Sequence, residues 1–245
     1  MKRLLMLMAV LMVVLMIVGT TTAALIGLED QLGYPDIMFD NTGKINYTAN
    51  NGSFVLDADD WKIVYADGSV DYLTGNGYMT DIKIYLTVDN NGNLVGTGTM
   101  VEKVIDTDGI PGNEYVTIKG ERYYEGTTLL AGTVVAFGWG EGDNLGDFDF
   151  LIDNLSGALV KDGIWPTTWP TGIIAHAEKL HGWSGSWECD FTLDKVKGDK
   201  APVVPIPPTI LLLGSGLLGF ILFNRRKQEK KGKYLIKPNL YIRAT

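Results

Sequence analysis

The chain has 245 residues and a net charge of −8, and its length suits one large domain or two small ones. The charge is unevenly distributed, because residues 24–200 carry 28 Asp and Glu but only 11 Lys and Arg, a net charge of −17. A domain this acidic repels the phosphate groups of nucleic acids, which argues against nucleic acid as a partner.

The first 24 residues have the pattern of a secretory signal peptide. Lys2 and Arg3 precede an unbroken apolar run over residues 4–18, and small residues follow as far as Ala24. This order of a basic start, an apolar segment and a small-residue site predicts cleavage after Ala23 or Ala24. The alternative is an uncleaved N-terminal anchor, but the small residues lie where a signal peptidase needs them. The sequence therefore predicts export.

Residues 25–200 predict an acidic, all-β ectodomain. Apolar side chains alternate with polar ones, as at Ile82, Ile84, Leu86 and Val88, which is the period of a strand with one buried face. Asn-Gly and Asp-Gly pairs recur between such runs and suit tight hairpins. About ten short strands separated by such turn residues predict an antiparallel β-sandwich or a barrel.

Three local predictions accompany this fold. The alternation extends to Trp61, Ile63 and Tyr65 on one buried face, and a helical turn or two is predicted within residues 173–181. Cys189 is the sole cysteine, so an internal disulfide is impossible. Its position between Trp187 and Phe191 at strand spacing favours a buried thiol over an intermolecular bridge.

One acidic loop is a candidate calcium site. Asp106 and Asp108 are two residues apart beside a turn glycine, and Glu114 follows six residues later. Calcium prefers six to eight oxygen ligands, and alternating carboxylates on a tight loop can supply some of them. The complete EF-hand pattern is absent. A solvated acidic loop without a metal is the favoured alternative, and no other cofactor is predicted.

No catalytic constellation emerges from the sequence. His176 and His181 are the only histidines, and their spacing differs from that of the metalloprotease helix motif. Residues 182–186 read G-W-S-G-S, which lacks the order of a nucleophile elbow. Paired carboxylates for glycoside hydrolysis cannot be chosen among 28 acids without spatial information. A non-enzymatic protein is therefore predicted.

Tryptophans are concentrated late in the ectodomain. Trp165, Trp169 and Trp183 lie close together in sequence with Trp187, and exposed aromatic rings stack well on sugar rings. These three residues are the candidate glycan-binding surface of a carbohydrate-binding module. Burial in the core is the commoner fate of such side chains and is the favoured alternative.

The C-terminal segment predicts a membrane anchor with a defined orientation. A proline-rich linker spans residues 201–208, an uncharged apolar helix spans 209–224, and a basic tail spans 225–245. The apolar run is short for a bilayer but sufficient if the prolines lie in the interface. Because basic flanks stay in the cytoplasm, the acidic domain is expected outside and the tail inside.

The same segment resembles a PEP-CTERM sorting signal of the VPxP variety. The resemblance rests on Pro205, Ile206 and Pro207, then Gly214, Ser215 and Gly216 within an apolar run, then Arg225, Arg226 and Lys227. It implies a substrate of an exosortase, a membrane processing enzyme of Gram-negative bacteria that make extracellular polysaccharide. Ile206 stands where the family usually has glutamate, and 18 residues follow Lys227, more than is usual.

The ectodomain is also similar to uncharacterised family members, through the F-D-N-T-G run at residues 39–43 and the A-F-G-W-G run at 136–140. This second resemblance implies no activity. The predicted function is thus an exported envelope or extracellular-matrix protein, anchored in the inner membrane with its domain in the periplasm until processing releases it to the surface. The alternatives are a module that binds extracellular polysaccharide, a secreted hydrolase, and a plain single-pass membrane protein.

Overall fold

A computed structural model of the protein describes residues 25–28, 31–74, 80–110, 112–141, 145–178 and 185–204. The predicted signal peptide with Ala23 and Ala24, and the sorting segment from Pro205 onward, lie outside these residues. Within the described ranges, no helix has both the length and the apolar character needed to cross a membrane.

The described part of the chain is all-β, as predicted. It contains eleven strands and one short helix, α1: β1 (Asp36–Thr48), β2 (Ser53–Val64), β3 (Val70–Tyr72), β4 (Thr80–Thr87), β5 (Gly98–Val104), β6 (Tyr115–Ile118), β7 (Glu121–Tyr124), β8 (Thr128–Glu141), β9 (Leu145–Ser156), α1 (Ala158–Lys161), β10 (Thr171–Glu178) and β11 (Phe191–Pro202).

Eight strands close into an antiparallel barrel, so the barrel and not the sandwich is the correct alternative. The strand order around the barrel is β1, β2, β4, β5, β8, β9, β10 and β11. Closure comes from pairing of the first and last strands, with Ile37 opposite Lys200 and Tyr47 opposite Phe191. A closed barrel leaves no long unpaired strand edge among its members.

Alternation of side chains decides which residues fill the barrel. Ile82, Ile84, Leu86 and Val88 all point inward and are buried, which confirms that prediction. The inward–outward alternation shifts by one residue in β2, because Met38 of β1 pairs with Lys62 whereas the next residue, Phe39, pairs with Asp60. Trp61 is the extra residue of this bulge and is only partly buried, so its predicted place beside Ile63 on the buried face is wrong.

Aromatic side chains fill one end of the barrel. Trp187, from the loop before β11, is 1 % exposed and contacts Tyr47, Phe54 and Phe137 with ring centroids 5.0–6.1 Å apart. The Tyr47 hydroxyl donates a hydrogen bond to the Trp187 carbonyl oxygen at 2.9 Å. Gly92, at φ +77°, lies against the Trp187 indole, where a Cβ would overlap the ring. This close approach fixes the β4–β5 turn over the aromatic cluster.

The loop after α1 and the β6–β7 hairpin contribute to the core near the opposite end. Trp165 is 1 % exposed and its indole N–H donates to the Thr171 hydroxyl at 2.9 Å. Val116 and Ile118 of the hairpin, and Leu159 of α1, join the same buried core. Both ends of the barrel are thus lined by packed side chains.

Three further predictions differ from the structure. The segment predicted to be helical forms strand β10 as far as Glu178, because Ile173, Ala175 and Ala177 fill the barrel at strand spacing. Cys189 is exposed, not buried, because it lies in the turn before β11 and outside the strand alternation. Strand β11 continues past Lys200 to Pro202, and Val203 then pairs with Leu32.

Candidate functional site

The loop between β5 and β6 brings together the three predicted calcium ligands. Asp106, Asp108 and Glu114 each offer a carboxylate oxygen, and these oxygens lie within 4.8 Å of one another. Two oxygens bound to one calcium ion at ~2.4 Å each can be at most ~4.8 Å apart. The spacing is therefore compatible with a single shared ion.

Backbone hydrogen bonds hold the two aspartates of this loop in place. Asp106 Oδ1 accepts from the Asp108 and Gly109 amides at 3.1 and 2.6 Å, and Asp108 Oδ1 accepts from the Ile110 amide at 2.8 Å. Asp108 Oδ2 accepts from the Asn113 side-chain amide at 3.0 Å. The turns are formed by the protein alone, so the two exposed carboxylates are oriented before any ion arrives.

Glu114 is the buried member of the cluster. It is 6 % exposed, and its Oε1 accepts hydrogen bonds from the backbone amide and the hydroxyl of Thr107. Its Oε2 is buried and has no hydrogen-bond partner within the described ranges. A buried carboxylate oxygen without a partner is costly, and a cation is one group that would satisfy it.

A second ionisable cluster, which the sequence analysis did not identify, lies inside the barrel. Lys200 Nζ is 3.1 Å from Asp60 Oδ1 and 2.6 Å from Glu102 Oε2, and all three side chains are 0 % exposed. Asp60 Oδ2 and Glu102 Oε1 are buried without a described hydrogen-bond partner. The two-residue alternation in the sequence places both acids on the buried faces of their strands. Asp60 follows Phe54, Leu56 and Ala58 at even spacing, and Glu102 lies midway between Met100 and Val104.

Burial controls the protonation of this interior cluster. It raises the pKa of Asp60 well above its usual value, against the opposing attraction of Lys200. Burial alone would lower the pKa of Lys200, but the attraction of Asp60 and Glu102 outweighs it and raises that pKa. When Asp60 carries a proton, the remaining charges of Lys200 and Glu102 compensate each other. In this conformation the cluster is sealed from solvent.

The structure does not bring the predicted glycan-binding tryptophans together on a surface. Trp165 is buried, so neither ring face is available for stacking on a sugar, and this part of the prediction is wrong. Trp169 is partly exposed, and Trp183 lies outside the described residues. His176 pairs with Asp147 at 2.7 Å on the outer face of β9 and β10, and His181 also lies outside the described residues.

No family model, curated protein or solved structure matches this chain.

Proposed function

We propose that this chain is an exported, non-enzymatic protein of the cell envelope or extracellular matrix, sorted through a PEP-CTERM-like C-terminal signal. The observation that carries the proposal is how closely the motif follows the last barrel strand along the sequence. The last barrel strand ends at Pro202, and the proline motif begins at Pro205. A cut within or after Pro205, Ile206 and Pro207 would therefore release every strand of the closed barrel in one piece.

Two features support a structural or binding role over catalysis. The interior ionic cluster is sealed, so it presents no reacting group to a substrate. The acidic loop of Asp106, Asp108 and Glu114 has the ligand chemistry of a hard cation, which suits a binding role.

The test is intact-mass analysis of both termini of the native protein from producing cells, in the membrane, surface and medium fractions. We expect an N-terminus at Ala24 or Leu25 and a C-terminus close to Pro207, with residues 225–245 removed. A variant carrying Pro205→Ala and Pro207→Ala is expected to stay at full length in the membrane fraction. Persistence of residues 225–245 in the unmodified protein would reject sorting and favour the single-pass membrane protein.

We infer a second function, calcium binding at the β5–β6 loop, because oxygens of the three carboxylates lie within 4.8 Å of one another and Glu114 Oε2 has no hydrogen-bond partner among the described residues. Three ligands and an exposed rim leave room for water, which suits the affinity of extracellular modules, with Kd on the order of 10⁻⁴–10⁻³ M. The inference rests on the loop alone and does not depend on how the chain is sorted.

Thermal unfolding in a calcium titration tests this second function. At calcium ten times above Kd, binding to the native state alone stabilises the protein by about 1.4 kcal/mol. We expect Glu114→Gln to weaken binding at least tenfold, while the distant exposed Glu188→Gln has no effect. Equal calcium responses in these two variants, or none in the unmodified chain, would contradict the site.

A further inference from the structure

Three ionisable side chains meet inside the barrel, from strands far apart in the sequence. Lys200 of β11 has its Nζ 3.1 Å from Asp60 Oδ1 of β2 and 2.6 Å from Glu102 Oε2 of β5. All three side chains are 0 % exposed. An amine, a carboxyl group within its reach and a second carboxylate that can take its proton are the groups needed to form an amide bond. The cluster therefore holds the reactants for a covalent link between strands.

The surroundings of the cluster keep water away from it. Four fully buried aliphatic residues lie opposite Lys200 and Glu102 on the adjacent strands. They are Ile37 and Ile173 beside the lysine, and Ile82 and Leu130 beside the glutamate. A site lined in this way excludes the water that would hydrate the charges or hydrolyse a reactive intermediate. Condensation, which releases water, is thus favoured over hydrolysis, which needs water to enter.

Asp60 is the carboxyl group suited to react with the amine. Burial raises its pKa well above the usual value, so it holds its proton as a neutral acid, which is a better electrophile than a carboxylate. Because the C–O bond adds about 1.2 Å, Lys200 Nζ lies at most about 4.3 Å from Asp60 Cγ. Reacting atoms in near-attack geometry are ~3–3.5 Å apart. A small side-chain rotation is enough to close the difference.

Glu102 is placed to take the proton that Lys200 must lose. Its Oε2 has the shorter of the two contacts to Nζ, at 2.6 Å. The attraction of both acids raises the pKa of Lys200, so the neutral amine is rare at neutral pH. Transfer of the proton within the cluster supplies that amine at the place where it reacts, as general-base catalysis requires. The reaction is consequently expected to be slow and to depend on Glu102.

We propose that Lys200 and Asp60 condense to an intramolecular amide bond, with Glu102 as the catalytic acid and base. Glu102 removes one proton from the ammonium, and the freed lone pair of Nζ forms a bond to Asp60 Cγ. The C–O bond of the Asp60 hydroxyl breaks with its electron pair, and the hydroxyl leaves as water with a second proton of Nζ, passed on by Glu102. The amide keeps the third proton, Glu102 ends as a neutral acid, and no oxidant or cofactor is consumed.

The amide removes the charges of the site and ties β11, the strand that closes the barrel, to β2. The two linked residues are 140 positions apart in the chain. Cys189 is the sole cysteine, so this bond supplies a covalent tether that no internal disulfide can. Chains that have not reacted keep the ion pairs described above. The bond depends neither on C-terminal sorting nor on calcium binding.

Mass spectrometry of the full chain, purified after folding, tests the proposal. We expect an intact mass lower than that of the sequence between the observed termini by one water molecule. Digestion with trypsin should yield a branched peptide that contains both Asp60 and Lys200, with no cleavage after Lys200 because its amine is blocked. A chain collected unfolded, from inclusion bodies in urea, should have the full mass and lose the water only on refolding.

Lys83→Arg is the matched control. Lys83 Nζ also lies 2.9 Å from two carboxylates, but its side chain is 36 % exposed, so the loss of water should persist in this variant. Lys200→Arg and Asp60→Ala should abolish the branched peptide. Glu102→Gln should slow its formation during refolding by at least about a hundredfold. Circular dichroism checks the fold of every variant.

The mass of the unmodified chain is decisive even where a variant fails to fold. The full intact mass after folding would overturn the proposal. A loss of water confined to one peptide, as in cyclisation of the Asp-Gly pairs at Asp67 or Asp108, would do the same. A branched peptide through Glu102 instead of Asp60 would refute the assigned roles, as would equally fast linkage in Glu102→Gln.

Discussion

Lys200 shows how a single interior side chain can decide the stability of the barrel. It is 0 % exposed and is the sole described cation in contact with Asp60 and Glu102. Removing one partner of a buried ionic cluster leaves uncompensated charge, which usually costs about 3–5 kcal/mol. The same removal at an exposed position costs little.

We therefore expect Lys200→Met to lower the free energy of unfolding by about 3–5 kcal/mol, measured by urea denaturation. Lys197→Met, at an exposed site on the same strand, should change it by less than about 0.5 kcal/mol. A triple variant with Lys200→Met, Asp60→Leu and Glu102→Leu should recover most of the loss, since no buried charge remains. Equal stabilities of the Lys200 and Lys197 variants would refute this account.

Two carboxylates of the barrel wall give stability an uncommon pH dependence. Burial, with repulsion from Asp199, raises the pKa of Asp36 from 3.8 to about 6. Burial also raises the pKa of Asp81 to about 6. A raised folded-state pKa means that the native state binds the proton more tightly than the unfolded chain does. This contribution is complete below about pH 4 and is lost as the pH rises through about 6.

We expect the free energy of unfolding to fall between pH 4.5 and pH 7, as measured by urea denaturation at several pH values. The shifts that lower the pKa of Asp67 and Asp89 act in the opposite sense, but only below about pH 4. Asp36→Asn should flatten the slope, whereas the exposed Asp153→Asn should preserve it. A stability that rises over this interval would show that other groups dominate.

At the scale of the element, Gly198 shows how closely strand β11 approaches its two neighbours, β1 and β10. A Cβ at this position would overlap the Ile174 carbonyl oxygen and lie 2.5 Å from Phe39 Cζ. Backbone cannot yield as a flexible side chain can, so β10 and β11 would have to separate. Overpacking of this kind typically costs about 1–3 kcal/mol.

Gly198→Ala is accordingly expected to destabilise the barrel by about 1–3 kcal/mol, measured as a shift in the urea midpoint. Gly140→Ala is the control, because its nearest obstacles are Leu25 side-chain atoms at 3.2 Å that can move. A loss in Gly140→Ala as large as in Gly198→Ala would mean that the close backbone approach at Gly198 does not set the effect, since backbone entropy alone favours alanine at both positions.

The strands differ in how far their sequences predict them. In β4 the alternation from Ile82 to Leu86 is regular, and local pattern alone suffices. In β10 the run of Ile173, Ile174 and Ala175 obscures the period, because the outward Ile174 is covered by Leu28 and Val203. Burial on both faces removes the alternation that identifies a strand.

The candidate sites also differ in how far the sequence predicts them. The acidic loop was recognisable because its three carboxylates are close in sequence, between Asp106 and Glu114. The interior cluster joins Asp60, Glu102 and Lys200 from three distant strands, and only the tertiary fold brings them together. The pairing of Asp81 with Lys103 across β4 and β5 likewise arises only from the strand register.

At the scale of the whole molecule, the closing pair of β1 and β11 sets the true end of the folded domain. The sequence placed that end at Lys200, but Ala201 and Val203 are buried. Val203 donates a backbone hydrogen bond to the Pro170 carbonyl at 2.8 Å, and Gly33 donates one to Pro202 at 2.9 Å. Closure of a barrel by residues far apart in sequence leaves no trace in local periodicity, so composition could not separate it from a sandwich.

We expect the free energy of unfolding of a chain that ends at Lys200 to be about 2–4 kcal/mol lower than that of a chain that ends at Val204. Thermal unfolding of the two truncated chains measures the difference, which should lower Tm by roughly 4–16 °C at this size. Similar midpoints would mean that the last four residues add nothing to closure, and that processing upstream of Pro205 is equally harmless.

The pairing of the first and last strands makes the barrel cyclic in its connectivity. Its entry near Gly33 and its exit near Val204 meet at one place, where the Leu32–Val203 bridge already joins them. A short peptide could splice these two points, and the exposed turn at Asp67 and Gly68 could supply new termini. A circularly permuted chain with its termini at this turn is thus expected to form the same ring of strand pairings.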